Sequence, residues 1–141
     1  MVTERPMVRA IRGATTVAAD EPDQVRAATR EMLEAIVARN GVRDEDLISA
    51  MFTVTADLTS EFPAHAAREL GWADVPLLCA LEIPVPDSLP RCIRVLLHVT
   101  SDRPRSEVQH VYLGPAVVLR PDLSCRQPPA GPAPSRPEVA R

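Results

Sequence analysis

"CIRVLLHVT", residues 92–100, decides the fold, because it reads as a β-strand with one misplaced charge. Alternation puts Ile93, Val95, Leu97 and Val99 on one face and Cys92, Arg94, Leu96, His98 and Thr100 on the other. The first face is a core face. The second carries a full positive charge between apolar neighbours, where Thr or Val suits a strand better. A lone arginine on a strand is most often solvated or salt-bridged. The alternative is an arginine lining a cleft, and the strand alone leaves both readings open.

The chain has 141 residues, 45% hydrophobic and 25% charged, enough for one domain that buries its own core. All 16 basic residues are arginines, against 19 acids, for a net charge of -3, which argues against a nucleic-acid partner. Cys79, Cys92 and Cys125 form an odd set without CxxC spacing, which fits a reducing compartment better than a disulfide framework. "MVTERPMVRA" (1–10) lacks the apolar run of a signal peptide, and no stretch reaches the length of a membrane span. A cytoplasmic protein with no membrane partner is expected.

Working outward from residue 92, "PLLCALEIPV" (76–85) is a second strand, joined to the first by "PDSLP". "MVRAIRGATTV" (7–17) and "DLISAMFTVT" (46–55) are β-branched or alternating and read as strands, and "VQHVYL" (108–113) as a last one. "DEPDQVRAATREMLEAIVARNG" (20–41) is the long helix: Asp20 is the cap candidate, Pro22 opens the first turn, and Asn40-Gly41 closes it. Val25, Ala28, Met32, Leu33 and Ile36 share its apolar face. "PAHAAREL" (63–70) is a short helix between Pro63 and Gly71, and "PAVVLRPDL" (115–123) a short closing segment. The expected class is α+β, with one long helix, one short helix and about five strands. Residues 1–6 form an N-terminal extension, and 124–141, rich in proline, a tail expected to be disordered.

No GxGxxG or GxxxxGK[ST] phosphate loop and no GxSxG elbow occurs. His65, His98 and His110 have no metal-ligand spacing, so no metal site is expected. What remains is arginine on apolar elements (Arg12, Arg68, Arg94, Arg120), with Glu82 on a strand and Tyr112 the one tyrosine. Guanidiniums with a carboxylate and a phenol suit a small anionic ligand, because arginine grips carboxylates through paired donors.

The stretches "IRGATTV", "FPAHAARE", "VPLLCALE", "CIRV", "HVYL" and "AVVLRPDL", in that order, closely resemble the bacterial monofunctional, trimeric chorismate mutases of the pseudo-α/β-barrel type, over residues 7–123. The resemblance implies a mixed β-sheet packed against the long helix and rearrangement of chorismate to prephenate in the shikimate branch to phenylalanine and tyrosine, with no cofactor and with sites between the subunits of a homotrimer. In that family the C–O bond breaks ahead of C–C bond formation, so negative charge gathers on the ether oxygen and positive charge on the ring. Arg94 matches the arginine facing the ether oxygen and a carboxylate, and Glu82 the carboxylate that balances the ring. Arg12 and Tyr112 match groups holding the carboxylate arm, and Cys79 a residue near the ring hydroxyl. Phe62, Ala64, Arg68, Leu77, Leu78 and Leu119 match wall and entrance positions.

There are departures. His65 stands where the family often carries lysine, "LGWADVP" is one residue short, and "LL" at 77–78 replaces a more polar wall. Cys79 and Glu82, three apart, point to opposite faces of a regular strand, so either the strand bulges or one of them lies outside the pocket. Trimeric imine deaminases and a non-catalytic metabolite-binding module are the alternative readings on a similar fold. Apolar residues on both faces of "CIRVLLHVT" and "PLLCALE" fit a sheet that a single helix cannot cover.

Overall fold

The structure, a computed structural model, describes residues 6–120. Along the chain it forms β1 (Met7–Thr16), α1 (Pro22–Asn40), β2 (Leu47–Val54), α2 (Ala64–Glu69), β3 (Leu77–Leu81), β4 (Cys92–Ser101) and β5 (Val111–Tyr112). Single 3-10 turns cover Asp44–Asp46 and Arg105–Glu107, and a longer one, Gly114–Leu119, follows β5. The expected tail at 124–141, residues 1–5 of the extension and residues 121–123 lie outside the described residues.

The strands make one five-stranded mixed sheet in the order β3-β2-β4-β1-β5. β4, the strand of "CIRVLLHVT", is central and antiparallel to β1 and β2, while β1–β5 and β2–β3 pair in parallel. This is the α+β arrangement expected from the sequence. Alternation holds along β4: Ile93, Val95, Leu97 and Val99 are buried. They meet Val25, Met32, Leu33 and Ile36 of α1, all fully buried, and Phe52 of β2 completes the layer. Each large side chain buried in this way contributes about 1.5–3 kcal/mol. The helix approaches closely because β1 offers no side chain at Gly13, where an added Cβ would lie 2.7 Å from Ile36 Cδ1 and 3.0 Å from Val95 Cγ1.

Two local expectations change. Glu21, not Asp20, occupies the cap position of α1, without a side-chain cap bond. Asp20 instead accepts the backbone N–H groups of Thr59 and Ser60 at 3.1–3.2 Å, tying the helix start to the β2–α2 loop. At its other end α1 stops as expected on Gly41, in the left-handed region at φ 61°. The last strand is only Val111–Tyr112, because the Arg12 N–H that a longer ladder would use donates to the His110 ring, N to Nδ1 2.9 Å.

Candidate active site

The sheet register assembles the candidate residues on the face away from the helices. Arg94 pairs with Ala14 of β1 on one side and Thr53 of β2 on the other. Ala14 in turn pairs with Tyr112, and Thr53 with Ala80. Lateral partners in a sheet share a face, so Tyr112, Ala14, Arg94, Thr53 and Ala80 form one row across all five strands. Arg12 lies two residues from Ala14, about 7 Å along β1 on the same face. Glu82 lies two residues beyond Ala80 and stays in register, its N–H donating to Val54 O at 2.9 Å.

Within this row Arg94 and Glu82 meet. Arg94 Nε donates to Glu82 Oε2 at 2.8 Å and Nη2 to Oε1 at 3.1 Å, a paired fork on a carboxylate. The Thr53 hydroxyl donates to Oε2 as well. The Arg94 guanidinium holds the Glu82 carboxyl below the usual carboxylate range against its desolvation, and the Thr53 hydrogen bond adds to that effect. Reciprocally, the Glu82 carboxylate holds the Arg94 guanidinium firmly protonated. Two negative oxygens and a fixed cation thus sit side by side on a half-exposed surface, with the Tyr112 phenol near enough to act on Arg94 electrostatically. Tyr112 packs with Ala14 and Ala116, and Leu119 closes against that cluster. Burial pushes the Cys92 thiol up to about 11, so it stays protonated at neutral pH and supplies no nucleophile.

The other expected residues lie elsewhere in the chain. The β2–β3 register runs unbroken from Leu77 to Leu81, so no bulge turns Cys79 toward Glu82. Cys79 and Leu77 are on the helix side of the sheet, part-buried against the main core. Within one chain Cys79 therefore faces away from Glu82, as the alternation of a regular strand requires. Leu78 does lie on the open face and is exposed, but on the edge strand β3. Ala64 is buried in the core through α2, whereas Phe62, exposed and edge-on to the His65 ring, and Arg68 project from the outside of the same segment. His65 Nδ1 is 2.6 Å from Glu61 Oε1, and Glu61 also binds Arg26, so His65 is held against a carboxylate.

Two polar residues at the site escape the sequence reading. Thr53 is an ordinary strand residue until the register sets it beside Arg94. His110 carries the acceptor that fixes the Arg12 backbone, which requires its Nδ1 to be unprotonated. Among the described residues no cluster of His, Cys, Asp and Glu could hold a metal ion.

Comparison with known proteins gives a consistent result. The family model of chorismate mutase type I matches residues 8–123. The curated chorismate mutase AroH of Thermus thermophilus is 55% identical over 122 residues, 86% of this chain and 100% of that protein. Its counterpart from Bacillus subtilis (strain 168) is 45% identical over 119 residues, 84% of this chain and 94% of the other. A solved chorismate mutase from Clostridium thermocellum superposes with a TM-score of 0.77 at 48% identity, covering 78% of this chain and 98% of that one. With the family model spanning most of its length and two curated relatives 55% and 45% identical over most of it, the chain belongs to the chorismate mutase type I family.

Proposed function

We infer that this chorismate mutase, an isomerase of aromatic amino acid biosynthesis, converts chorismate to prephenate on the open face of its sheet, with Arg94 and Glu82 as the catalytic pair. The observation that carries the reading is the fork of Arg94 on Glu82, a fixed cation and a fixed anion held side by side with Tyr112 close by. The reaction breaks one C–O bond and makes one C–C bond within a single molecule, so nothing is transferred to the protein. What the protein supplies is placement and charge. Arg94 spends two of its five N–H donors on Glu82 and turns the remaining three toward the ether oxygen and a carboxylate of the substrate. Glu82 faces the ring, where positive charge develops. Because both charges grow only as the C–O bond lengthens, fixed partners stabilise the transition state more than bound chorismate. Arg12 and Tyr112 grip the carboxylate arm over the ring and supply a proximity contribution, with Leu119 at its edge.

One chain leaves this face open. Val8, Met51, Leu78 and Leu96 are exposed on it, beside the charged row. We propose that the working form is a homotrimer in which a neighbour covers the face and completes the pocket. The β3 edge and the α2 segment, with Phe62, Ala64, Arg68, Leu77, Leu78 and Cys79, supply the neighbour's wall. Chorismate and prephenate are then the partners, without cofactor, and the cytoplasm is the proposed location. Among the described residues no helix is long and apolar enough to cross a membrane, which is compatible with that placement.

The test is direct. Purified chain is incubated with chorismate while loss of the diene absorbance and appearance of prephenate are followed, and native mass is measured alongside. Turnover with a mass of three chains is expected. Binding without turnover would replace the catalytic reading with a metabolite-binding module, and a monomer of full activity would sink the shared pocket.

A further inference from the structure

We propose that Thr53 is a positioning residue of the rearrangement, its hydroxyl anchoring the Glu82 carboxylate against the ring while Arg94 serves the ether oxygen. The inference rests on the assignment of Arg94 and Glu82 as the catalytic pair and adds a third group to it. Among the described residues, Glu82 Oε2 accepts both Arg94 Nε, at 2.8 Å, and the Thr53 hydroxyl, whereas Oε1 accepts Arg94 Nη2 alone, at 3.1 Å. One carboxylate oxygen is therefore doubly held and the other is the freer one.

That asymmetry matters when the site fills. Substrate draws the Arg94 donors toward a carboxylate and a growing negative charge on the ether oxygen. An anion that shares a cation with another anion is held less firmly by it. Glu82 would then turn away from the ring or take up a proton, unless a partner that does not engage the substrate keeps it in place. Thr53 is such a partner. It stands directly beside Arg94 in the β2–β4 ladder and beside Ala80 in the β2–β3 ladder, two residues from Glu82. Its backbone is fixed by the sheet, and a β-branched side chain on a strand has few rotamers. The hydroxyl is consequently preorganised and neutral, and substrate binding leaves it where it is. It also favours the ionised carboxyl, in the same direction as Arg94.

Steady-state kinetics across pH, with chorismate as substrate, test this on Thr53→Val, which keeps the β-branched shape and strand preference but lacks the hydroxyl, and Thr53→Ser, which restores it. Thr53→Val should lower kcat roughly tenfold, the effect of losing a hydrogen bond to a charged group, with a smaller change in KM. Its acid limb should move to higher pH, because Glu82 then takes up a proton more readily. Thr53→Ser should recover both the rate and the position of the limb. Loss of packing alone would leave the limb where it is in wild type. A wild-type rate and limb in Thr53→Val, or a Thr53→Ser protein as impaired as Thr53→Val, overturns the role of Thr53 while leaving the catalytic pair standing. Wild-type protein without turnover overturns the functional reading itself. If Thr53→Val does not fold, Thr53→Ala is read against Thr53→Ser on the same limb, with the same two outcomes.

Discussion

The two faces of this one sheet differ in what each asks of the chain. On the helix side, Ile93, Val95, Leu97 and Val99 are at most 3% exposed, and Gly13 gives up its side chain so that Ile36 can come down onto the strand. On the other side Leu96 is 37% exposed, Met51 42%, Leu78 58% and Val8 61%, and among them stand Arg94, Glu82, Thr53 and Arg12. The first face is closed by the chain's own helix, and its one strand arginine, Arg9 at the end of β1, gives its Nε–H to the Arg103 carbonyl. The second is apolar enough to be covered and charged enough to be useful. Charges placed under the helix would carry a desolvation cost with no substrate to offset it. On the open face Arg94 and Glu82 pair with each other.

If that division holds, the two faces should respond to substitution in opposite ways. The largest effect is expected at Arg94. Arg94→Ala should cut kcat by roughly a hundredfold to a thousandfold, the loss typical of one preorganised donor, with little change in melting temperature. Arg94→Lys keeps the charge but not the planar fork on Glu82, so most of the loss should persist. Parallel measurement of kcat/KM and thermal unfolding decides, and a normally active, folded Arg94→Ala protein would return the residue to an ordinary surface role.

Gly13→Ala should do the reverse. Its Cβ would lie 2.7 Å from Ile36 Cδ1, 3.0 Å from Val95 Cγ1 and 3.2 Å from Met32 Cγ, so the helix-side packing must shift and overpacking should cost about 1–3 kcal/mol in a urea titration. Turnover per folded molecule should stay near wild type. Equal damage to both quantities would mean that the faces are coupled through β1.

Cys79→Ser is expected to have a smaller effect. The thiol is part-buried on the helix side at the sheet edge, so the change should cost under about 1 kcal/mol in stability and preserve most of kcat. Loss of turnover in folded protein would point to a covalent mechanism instead.

The smallest effect concerns pH. No group exchanges a proton with the substrate, so kcat should be flat near neutrality. Arg94 first, then Thr53, hold Glu82 below the ordinary glutamate value of 4.5, so the rate should fall only in acid below that value. The sign for stability is the same. Glu82 is lowered in the fold, so its contribution is present above the unfolded-state value and is lost as pH falls through the folded one. A limb near pH 6 in the pH–rate profile would show that some other group titrates in the site.

The long helix was legible because its apolar spacing, Pro22 and Asn40-Gly41 all point the same way. The central strand was legible because alternation is a local property, and so was the oddity of Arg94 on its second face. Asp20, the cap expected from the sequence, serves the β2–α2 loop instead, since a carboxylate near a helix start binds whichever N–H groups come closest. β5 is shorter than the strand expected over 108–113, because a side chain, His110, takes the place of a backbone acceptor.

By itself, then, the sequence determined most of the elements and the α+β class from patterns within short stretches, and its resemblance to a family pointed to the pair Arg94 and Glu82. Only the tertiary structure decided which of those residues share a face. Cys79 and Glu82 are near neighbours in sequence and lie on opposite sides of the sheet, while Thr53, 29 residues from Glu82, shares its oxygen. The physical reason is that a strand fixes which side of itself a residue faces, but partner and register come from the hydrogen-bond ladders between strands far apart in the chain.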